Sequence, residues 1–564
     1  MKKYIWIMAL LAAPALAGAQ SMYDAMTFSE SLYYGTARSI ALGNAVTALG
    51  GDLGSVTINP AGTAVANYSQ VTLTPGLSIS TTGTGYSPVY GGNSTTYNKV
   101  TKTKFVVPNG GMSLCFDTGR DYGIKTMTFS LVANTTNRHL AYAEGAGIND
   151  LTSISGYFAR VANGMYGGPM MDPDIFDKMS DPWMNSDFDW STLAAKSSNV
   201  IAYSKGKGRY LGLAENDDEM VCGPLRQTSI TQKAGSKTDI VINMAFNAND
   251  NLYFGFNLGL PVQSYSYNES FREVPLDSEQ FPITFIDDDD KETTTYVNGM
   301  DYNYSYATNM NGIYFKAGLI WLPVKNLRIG AAVKTPTAFT VSESWQTSAS
   351  SHYVNSIYSA RTVSPLGEYN YKFRSPYEIN AGVAYTFGKL ALLSVDYELE
   401  DFSVMRFNER GASNGVFGVV NNINRQFCGL AHNLRVGAEL RFGLCFTARA
   451  GFNLKTSPER CYRDNFGTMV YADDYAMDYE SFEYGRRTLD KASMLYLKKN
   501  VMSYSFGIGY ASKGSFFADA AFRNTVYPVE NFAPYGEYYL DVEAPNVSKQ
   551  RNLIDIALTV GWRF

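Results

Sequence analysis

Leu553-Ile-Asp-Ile-Ala-Leu-Thr-Val-Gly-Trp-Arg-Phe564 ends the chain, and large apolar side chains alternate along it with mainly small or polar ones. The even positions from 554 to 564 hold Ile, Ile, Leu, Val, Trp and Phe, whereas Asp555, Thr559 and Arg563 lie among the odd positions. Successive side chains of a β-strand point to opposite faces of a sheet. The pattern therefore predicts a strand with one face suited to lipid and the other to a polar interior.

Similar alternation recurs upstream, and together these segments predict fourteen strands. A soluble β-sandwich would show the same period of two, so the period alone does not decide the fold class. The predicted strands are, in chain order, 71–80, 105–117, 122–134, 226–247, 251–266, 302–322, 326–345, 366–387, 389–404, 432–442, 444–457, 498–511, 515–526 and 551–564.

The connections between the predicted strands decide the fold class, because short and long ones alternate without a break. Short periplasmic turns and long outer loops are typical of transmembrane barrels. An even number of strands returns both chain ends to one side of the membrane, and closure removes strand edges that lipid could not satisfy. We predict an all-β protein, a fourteen-stranded antiparallel transmembrane β-barrel over residues 68–564, with long extracellular loops at 135–225, 267–301 and 458–497.

The composition fits a barrel and excludes several other classes of protein. Aromatic residues make up 14% of the chain, with 41 Tyr and 32 Phe, and charged residues make up only 18%, against about 25% in typical globular domains. The net charge of −5 argues against nucleic acid as a partner, because binding phosphates requires a basic surface. Five scattered cysteines and three scattered histidines predict no metal site, no cofactor and no catalytic residues, and leave one cysteine pair open.

The N-terminal residues predict export. Lysines at positions 2 and 3 precede an apolar run that ends near Leu16, and Ala17-Gly-Ala19 forms a small-residue cleavage site. This is the pattern of a signal peptide, residues 1–19, and it predicts Sec-dependent export to the cell outer membrane. The partners expected there are membrane lipid, lipopolysaccharide and the barrel-assembly machinery, the last through the strand that ends at Phe564.

Residues 20–67, between the signal peptide and the first strand, carry a Gly-rich sequence. It contains Tyr34-Gly-Thr-Ala-Arg-Ser-Ile-Ala-Leu-Gly-Asn-Ala45 and then Ile58-Asn-Pro-Ala-Gly62. This arrangement resembles the N-terminal hatch of the FadL/TodX family of outer-membrane transporters for hydrophobic compounds, a subgroup of which is labelled haem receptor or PorV-like. The resemblance implies that residues 20–67 form a hatch inside the barrel. Its motif residues here are Gly35, Arg38, Gly43, Gly50, Asp52, Asn59, Pro60 and Ala61.

The residue types of this segment favour a compact plug. Gly35 and Gly43 allow tight turns, and Pro60 fixes its own φ while disfavouring helix at Asn59. Such a segment could fill the lumen that fourteen strands leave open, because the interior widens with strand number. A periplasmic turn that only orders the first strand is the alternative.

The resemblance also implies a route for the ligand. In the family, the ligand is captured at extracellular loops, passes to a site in the barrel and leaves sideways through a wall gap at a kink in the third strand. The third predicted strand here is Tyr122–Asn134, and the kink candidates are Gly123, Asn134 and Asn137. A regular strand at this position is the alternative.

Two apolar segments are the candidate ligand contacts, because Met and aromatic side chains make adaptable apolar surfaces. One follows the cleavage site, where the family's N-terminus contributes to its inner binding site, and the other lies in the loop 135–225. The alternative for the loop residues is a small core of the loop itself. The candidates are Met22, Tyr23, Met26, Phe28, Met170, Met171, Phe176, Trp183, Phe188 and Trp190.

The resemblance implies passive uptake of a hydrophobic small molecule, such as a long-chain fatty acid or an aromatic hydrocarbon, without catalysis. A PorV-like barrel that binds and shuttles secreted proteins is the main alternative, and a structural or adhesive porin is the second. An apolar path from the outer loops to a wall opening would favour uptake. A lumen blocked by charge pairs beneath an exposed apolar loop surface would favour a protein partner.

Overall fold

The computed structural model describes residues 21–89, 93–165, 168–185, 187–286, 292–409, 417–443, 445–460, 462–463, 469–470, 490–491, 499–536 and 544–564. The predicted signal peptide, residues 1–19, and most of the predicted loop 458–497 lie outside the described residues.

Fourteen long strands, each antiparallel to its neighbours, form the wall of the molecule. The seventh and eighth strands each consist of two pieces separated by a short irregular stretch. The strands are β1 Gln70–Ser87, β2 Thr96–Asp117, β3 Ile124–Arg138, β4 Leu225–Ala248, β5 Leu252–Pro275, β6 Glu292–Val324, β7 Leu327–Lys334 with Ala338–Tyr353, β8 Gly367–Arg374 with Glu378–Phe387, β9 Ala391–Asp401, β10 Leu430–Phe442, β11 Phe446–Lys455, β12 Val501–Ala511, β13 Phe516–Phe532 and β14 Asn546–Arg563.

The first and last strands close the wall into a barrel. Their ladder runs from the pair Gln70–Arg563 to the pair Ser87–Asn546. Closure gives the main-chain N–H and C=O groups of both strands a partner, which a hydrocarbon environment cannot supply. The predicted fourteen-stranded antiparallel barrel is confirmed.

The two faces of β14 show why the barrel suits a membrane. Ile556, Leu558 and Val560 are 41–48% exposed on the outside, whereas Asp555 and Thr559 are buried on the inside. The same exposed apolar face recurs on the neighbouring strands. Apolar side chains outside and polar ones inside are the reverse of a soluble protein, and they fit a barrel surrounded by lipid.

Short helices and strands lie before the first wall strand and in the connections between wall strands. No helix in the described part of the chain is long and apolar enough to cross a membrane. The α-helices are α1 Met22–Ser29, α2 Ala37–Ala41, α3 Ile154–Ala162, α4 Ile175–Lys178, α5 Trp190–Ser197 and α6 Gly418–Phe427. The 3₁₀ turns are Leu53–Thr57, Pro60–Val65, Pro182–Met184, Ser278–Gln280, Ser356–Tyr358 and Phe402–Val404. The short strands are Ala141–Asn149, Ile201–Ser204, Arg209–Gly212, Pro282–Ile286, Ala360–Val363, Arg406–Glu409, Tyr462–Arg463, Met469–Val470 and Asp490–Lys491.

Several strands are longer than the sequence predicts, mainly at their outer ends. β6 begins at Glu292, whereas the predicted strand begins at 302, and β5 continues to Pro275 instead of 266. In these extensions the outward side chains are polar, as at Asn268 and Ser270. The strands therefore project beyond the apolar belt, where alternation of apolar and polar residues no longer marks them.

Candidate functional site: an aromatic chamber and a window in the barrel wall

The N-terminal segment, residues 21–67, packs against inward-facing residues of the barrel, and Asn59 is one of its main anchors. The Asn59 Nδ2 donates to the Thr47 carbonyl at 2.7 Å and to the Leu319 carbonyl of β6 at 3.0 Å. Its Oδ1 accepts from the Ala61 N–H at 3.1 Å, so that Pro60 opens a 3₁₀ turn. One buried amide thus joins two parts of the segment to the barrel wall.

A seat of inward-facing glycines receives this segment. An ideal Cβ at Gly318 would lie 2.1 Å from Asn59 Oδ1, and one at Gly451 would lie 2.1 Å from the Gly43 nitrogen. Only glycine lets the two backbones approach so closely. The sequence patterns considered above do not predict this seat, although glycines at inward positions of predicted strands are a usable signal for it. The glycine seat comprises Gly255, Gly318, Gly330, Gly382, Gly437, Gly451 and Gly507.

Buried ion pairs surround the N-terminal segment at the level of the glycine seat, and we call these pairs the girdle. Cationic side chains of this girdle also donate to its main chain, as Lys316 does to the Thr57 carbonyl at 2.8 Å and Lys455 to the Ser31 carbonyl at 3.0 Å. A buried charge is tolerated when it is paired and hydrogen-bonded in this way. The pairs are Lys316–Glu378, Arg435–Glu398, Lys455–Glu400, Arg449–Glu439, Arg449–Asp519, Arg523–Asp555 and Arg138–Asp555.

Two motif residues of the segment join this girdle. Arg38 Nε lies 3.3 Å from Glu439 Oε2, and Arg38 Nη1 donates to the Gly50 carbonyl at 3.2 Å. Asp52 Oδ2 accepts from the Thr36 hydroxyl at 2.6 Å. Burial raises the pKa of Asp52, and the nearby Arg38 guanidinium acts in the opposite direction. Gly35, Gly43 and Gly50 all have positive φ, which an L side chain rarely adopts.

Beyond the girdle, toward the outer loops, buried aromatic and methionine side chains fill the lumen, and we call this packed cluster the aromatic chamber. The helix α1 inserts Met22, Ala25 and Phe28 into it, and all three side chains are buried. The Phe28 ring lies 5.7 Å from Phe373 and 6.5 Å from Tyr265 in edge-to-face contacts. The other buried residues of the chamber, from wall strands and from the segment 402–428, are Tyr265, Tyr306, Met310, Phe339, Val341, Tyr371, Phe373, Phe402, Met405, Phe407, Phe417, Phe427, Cys428 and Ala431.

Rings from the outer loop lead toward this chamber. The centroids of Phe176 and Trp183 are 6.1 Å apart, those of Trp183 and Trp190 are 6.2 Å apart, and Trp190 lies 5.8 Å from Trp345 on β7. Trp345 packs against the chamber. These four rings form an aromatic track from the loop to the lumen.

The structure places the other predicted contacts in different surroundings. Met171 and Phe188 are buried in the core of the loop itself, whereas Met170 is 44% exposed. Met26 packs against the chamber, and Tyr23 is 37% exposed. The candidates therefore divide between chamber, track, loop core and surface.

The wall has a stretch where two neighbouring strands do not pair. The ladder between β2 and β3 ends at the pair Asn109–Asn134. Beyond it, no β2–β3 main-chain pair joins the described residues of Thr96–Pro108 to Thr135–Arg138. β2 contacts the chain that follows β3 again where Lys102 Nζ lies 4.4 Å from the centre of the Tyr142 ring and Asn98 Nδ2 donates to the Glu144 carbonyl at 3.3 Å. We call the unpaired stretch, between Thr101–Pro108 and Thr135–Leu140, the window; it is roughly 25 Å long at about 3.3 Å per residue.

Main-chain groups of the N-terminal segment take the place of β2 along β3. The Thr136 carbonyl accepts from the N–H groups of Leu32 at 2.8 Å and Tyr33 at 3.2 Å, and the Thr135 carbonyl accepts from Tyr34 at 2.9 Å. β3 can leave β2 because these bonds satisfy carbonyls that would otherwise lack partners.

The predicted kink candidates lie at different distances from the window. Asn134 forms the last pair with β2, and its Nδ2 donates to the Leu53 carbonyl at 3.1 Å. Asn137 borders a register shift in the β3–β4 ladder, and its Nδ2 lies 3.2 Å from Glu30 Oε2. Gly123, with φ of 84°, lies in the turn that precedes β3.

The window lies at the level of the outward apolar belt. Phe105 and Val107 on its β2 side are 65% and 50% exposed. Phe105 pairs with Leu77 of β1, which is 41% exposed on the outside of the barrel. An opening at this level would face lipid hydrocarbon instead of water.

The chain matches no family model and no curated protein. Among solved structures, it is similar to a Pseudomonas aeruginosa FadL homologue, with 12% identity over 95% of this chain and 98% of that one and a TM-score of 0.43. It is similar to the Pseudomonas putida toluene transporter TodX, with 11% identity, 94% and 99% coverage and a TM-score of 0.43. For the CymD monoaromatic hydrocarbon channel the values are 11%, 94%, 97% and 0.43. With so low an identity, a functional assignment has to come from the geometry of this chain.

Of the five cysteines, Cys115, Cys222, Cys428 and Cys445 are free thiols, and Cys461 lies outside the described residues. A pair between two of these four is therefore absent from the described part of the structure.

Proposed function

We propose that the protein is an outer-membrane channel of the FadL/TodX type that takes up hydrophobic small molecules passively and releases them sideways into the membrane. One observation carries the proposal: the wall has an unpaired window at the level of the apolar belt, in a barrel whose lumen is filled by a cluster of buried aromatic side chains. The residues 20–67 serve as the hatch of this channel.

The route has three steps. A ligand first meets the exposed methionines of the outer loop and then the aromatic track, where Trp183 and Trp190 are partly buried and pack edge-to-face. It then displaces side chains of α1, such as Met22 and Phe28, from the chamber. It finally leaves between β2 and β3, past Phe105, because the hatch and its ion pairs fill the lumen on the periplasmic side.

Transport along this route needs no external source of energy. Moving an apolar ligand from water into an aromatic chamber and then into lipid is favourable at about 25 cal/mol per Å² of apolar surface removed from water. A polar channel open to the periplasm would not favour apolar ligands over polar ones. The girdle and glycine seat close that direction, so the protein supplies binding and orientation and no bond chemistry.

The alternative of a PorV-like shuttle gains less support from the same features. A shuttle needs a broad exposed apolar surface on its outer loops for a protein partner. Here the large apolar side chains of the loop residues 150–225 lie mainly in a buried core around α3 and α5. A plain porin is supported even less, because its lumen would be open and polar.

Membrane partners follow from the same proposal. Phe564 directly follows β14 and its side chain is 64% exposed, and this strand with Phe564 is our candidate for the signal read by the barrel-assembly machinery. Lipopolysaccharide would contact the polar outer extensions of the strands. Sec-dependent export of the precursor is part of this proposal.

The proposal is tested by blocking the window. A Val106→Cys variant, in a background with the five native cysteines replaced by serine, is labelled with a bulky maleimide, and uptake of a radiolabelled aromatic hydrocarbon is measured in cells that express it. Val106 lies on the inner face of β2 at the window, and the matched control, Leu558→Cys, lies on the lipid face of β14. We expect labelling to reduce uptake several-fold only for Val106→Cys. Equal uptake in both labelled variants would contradict lateral release.

A further inference from the structure

The outer face of β8 changes from apolar to cationic where the strand leaves the apolar belt. In the piece Glu378–Phe387, Val383 and Ile379 are 47% and 40% exposed on the outside of the barrel. Beyond the irregular stretch that divides the strand, the outward residues are polar, and two of them are the exposed Arg374 and Lys372. Since both pieces belong to one wall strand, these cations lie just beyond the outer end of the belt.

A third cation lies directly opposite the first. The short strand Arg406–Glu409 pairs with the outer piece of β8, and in this ladder Arg374 faces Arg406. Lys372 faces Asn408 two residues further out. Directly opposite residues of an antiparallel pair share a face, with Cβ atoms about 4.5–5.5 Å apart. Because Arg406 is exposed as well, the outside of the barrel carries three cations close together: Arg374, Arg406 and Lys372, which we call the cationic patch.

No acidic side chain in the described part of the chain neutralises the cationic patch, and its three side chains make no ion pair or hydrogen bond there. Asp401, at the end of β9, instead accepts from the N–H and hydroxyl of the residue two positions on, at 3.0 and 2.6 Å. Glu409 is paired with a buried residue and so belongs to the inner face. Glu368 lies four residues beyond Lys372, about 13 Å along the strand. Like charges directly opposite destabilise a sheet, so the two guanidinium groups call for an anion from outside the chain.

The neighbouring strands show that the patch lies where lipid headgroups begin. The row of directly paired residues through Arg374 contains Ala338 of β7 and Ile313 of β6, and Ile313 is 50% exposed. The next outward-facing row, through Lys372, contains Thr340 of β7. The apolar belt therefore ends at the patch. Basic side chains at such a boundary contact the headgroups of lipids whose acyl chains lie on the apolar residues beneath.

We propose that the cationic patch binds a phosphate of lipopolysaccharide, held between Arg374 and Arg406 with Lys372 beside it. The charge favours this lipid. A phosphate monoester carries about −1.5 to −2 charges at neutral pH, which offsets two guanidinium groups, whereas the phosphodiester of a phospholipid has one ionisable oxygen fewer. Guanidinium groups also bind phosphate oxygens through pairs of parallel hydrogen bonds. The proposal rests on the outer-membrane location in the proposed function, but it concerns a lipid partner on the outside of the barrel and not the transported ligand.

Such a phosphate would join two elements that also meet inside the barrel. On the inner face of the same ladder, the rings of Phe373 and Phe407 lie 5.0 Å apart and belong to the aromatic chamber. Arg374 and Arg406 extend from the same two elements to the outside. A bound phosphate therefore replaces a repulsion across this ladder with a bridge, and it stabilises the folded protein.

The experiment compares Arg374→Gln/Arg406→Gln with the control Arg226→Gln/Arg272→Gln, which removes the same charge. The control arginines are exposed at the outer ends of β4 and β5, well beyond the apolar belt. The full mature proteins, freed of lipid in neutral detergent, are titrated with three probes, and bound lipid is counted by native mass spectrometry. The probes are lipid A (the membrane anchor of lipopolysaccharide), lipid A without its phosphates, and phosphatidylglycerol.

We expect the double variant at the patch to bind lipid A about tenfold more weakly than the wild type and the control do, because charge-assisted contacts are lost. The wild type should bind the other two probes as weakly as that variant binds lipid A. Lipid A should also raise the melting temperature of the wild type and the control, but not that of the variant. Without lipid, the variant should melt no lower than the wild type, since a like-charge pair has been removed.

Three results would overturn the proposal. Equal affinity of the wild type and the double variant for lipid A would show that the patch holds no phosphate. An equal loss in the control would show a general attraction of anions to the outer face, and equally tight binding of phosphatidylglycerol would assign the patch to phospholipid. These results leave uptake untouched, whereas recovery of the wild type from the soluble periplasm would contradict the proposed function itself.

Discussion

Two contacts between neighbouring strands of the barrel wall, which we call seams, differ in whether their ladder of main-chain pairs is continuous. Between β1 and β14, the ladder keeps one register from Gln70 to Ser87 and lacks only the two pairs at Thr74 and Pro75. Between β2 and β3, it stops at Asn109–Asn134, and the N-terminal segment pairs with β3 instead. A barrel wall can therefore open within a membrane, provided that the freed main-chain groups of one strand find partners inside the lumen.

The largest expected effect concerns a carboxylate that links the two seams. Asp555 of β14 accepts from Arg523 at 2.9 Å, from Arg138 of β3 at 3.0 Å and from Ser78 at 2.5 Å. Asp555→Ala leaves two buried guanidinium groups without their counter-ion, which costs about 3–5 kcal/mol. We expect that loss in the free energy of unfolding, measured by guanidinium chloride denaturation in detergent micelles.

A matched control comes from a pair between β13 and β14 whose carboxylate is exposed. Glu530 lies 3.0 Å from Lys549, and its side chain is 53% exposed. Glu530→Ala should change stability by less than about 1 kcal/mol. Comparable losses in the two variants would show that the buried cluster does not hold the seams together.

A smaller effect is expected from filling the glycine seat. A Cβ at Gly451 would meet the Gly43 nitrogen, whereas one at Gly83 of β1 would meet nothing within 4 Å. Gly451→Val should therefore cost about 1–3 kcal/mol through overpacking and make residues 21–67 sensitive to added protease, whereas Gly83→Val should leave them protected. Protection of the segment in both variants would mean that it is not seated on the glycines.

A still smaller loss of stability is expected from replacing Tyr34, whose ring lies beside the β3 end of the window. It lies between the guanidinium groups of Arg138 and Arg523, each 4.1 Å from the ring centre. Tyr34→Leu keeps the main-chain bond to Thr135 but removes both cation–π contacts, at about 1–2 kcal/mol. The melting temperature in micelles should fall accordingly, and an unchanged value would contradict a role of Tyr34 in bracing β3.

The smallest effect on stability is expected at the outer lip of the window. Phe105 is 65% exposed, so Phe105→Ala should alter the free energy of unfolding by only about 0.5 kcal/mol. Its effect should appear instead in the rate of hydrocarbon uptake. A stability loss like that of a core phenylalanine would show that this side chain is packed and the window closed.

Part of this architecture could be predicted from the sequence. The alternation in β14 and the alternating loop lengths indicate fourteen strands, and the residues Asn59 and Pro60 mark the N-terminal segment. These signals are local, because each depends on residues close together in the chain. The polar extensions of the strands carry no such signal, so their lengths were underestimated.

The window depends on contacts that no local pattern encodes. It needs main-chain bonds from Leu32–Tyr34 to β3, across about a hundred residues of sequence, and the shift in the β1–β2 register between Thr74 and Gly76. Pro108 within β2 was a usable hint, since proline inside a strand is confined to edges and bulges. The chamber likewise gathers side chains from α1, α6 and six strands, which only the folded chain brings together.

Amide hydrogen exchange of the unmodified protein in lipid nanodiscs tests the interrupted wall most directly. Residues 110–113 and 101–106 belong to the same strand and both pair with β1, but only 110–113 also pair with β3. We predict slow exchange throughout 110–113 and throughout β14, but fast exchange at the amides of 101–106 that point away from β1. Uniformly slow exchange across 101–113 would show a continuous ladder and contradict the account.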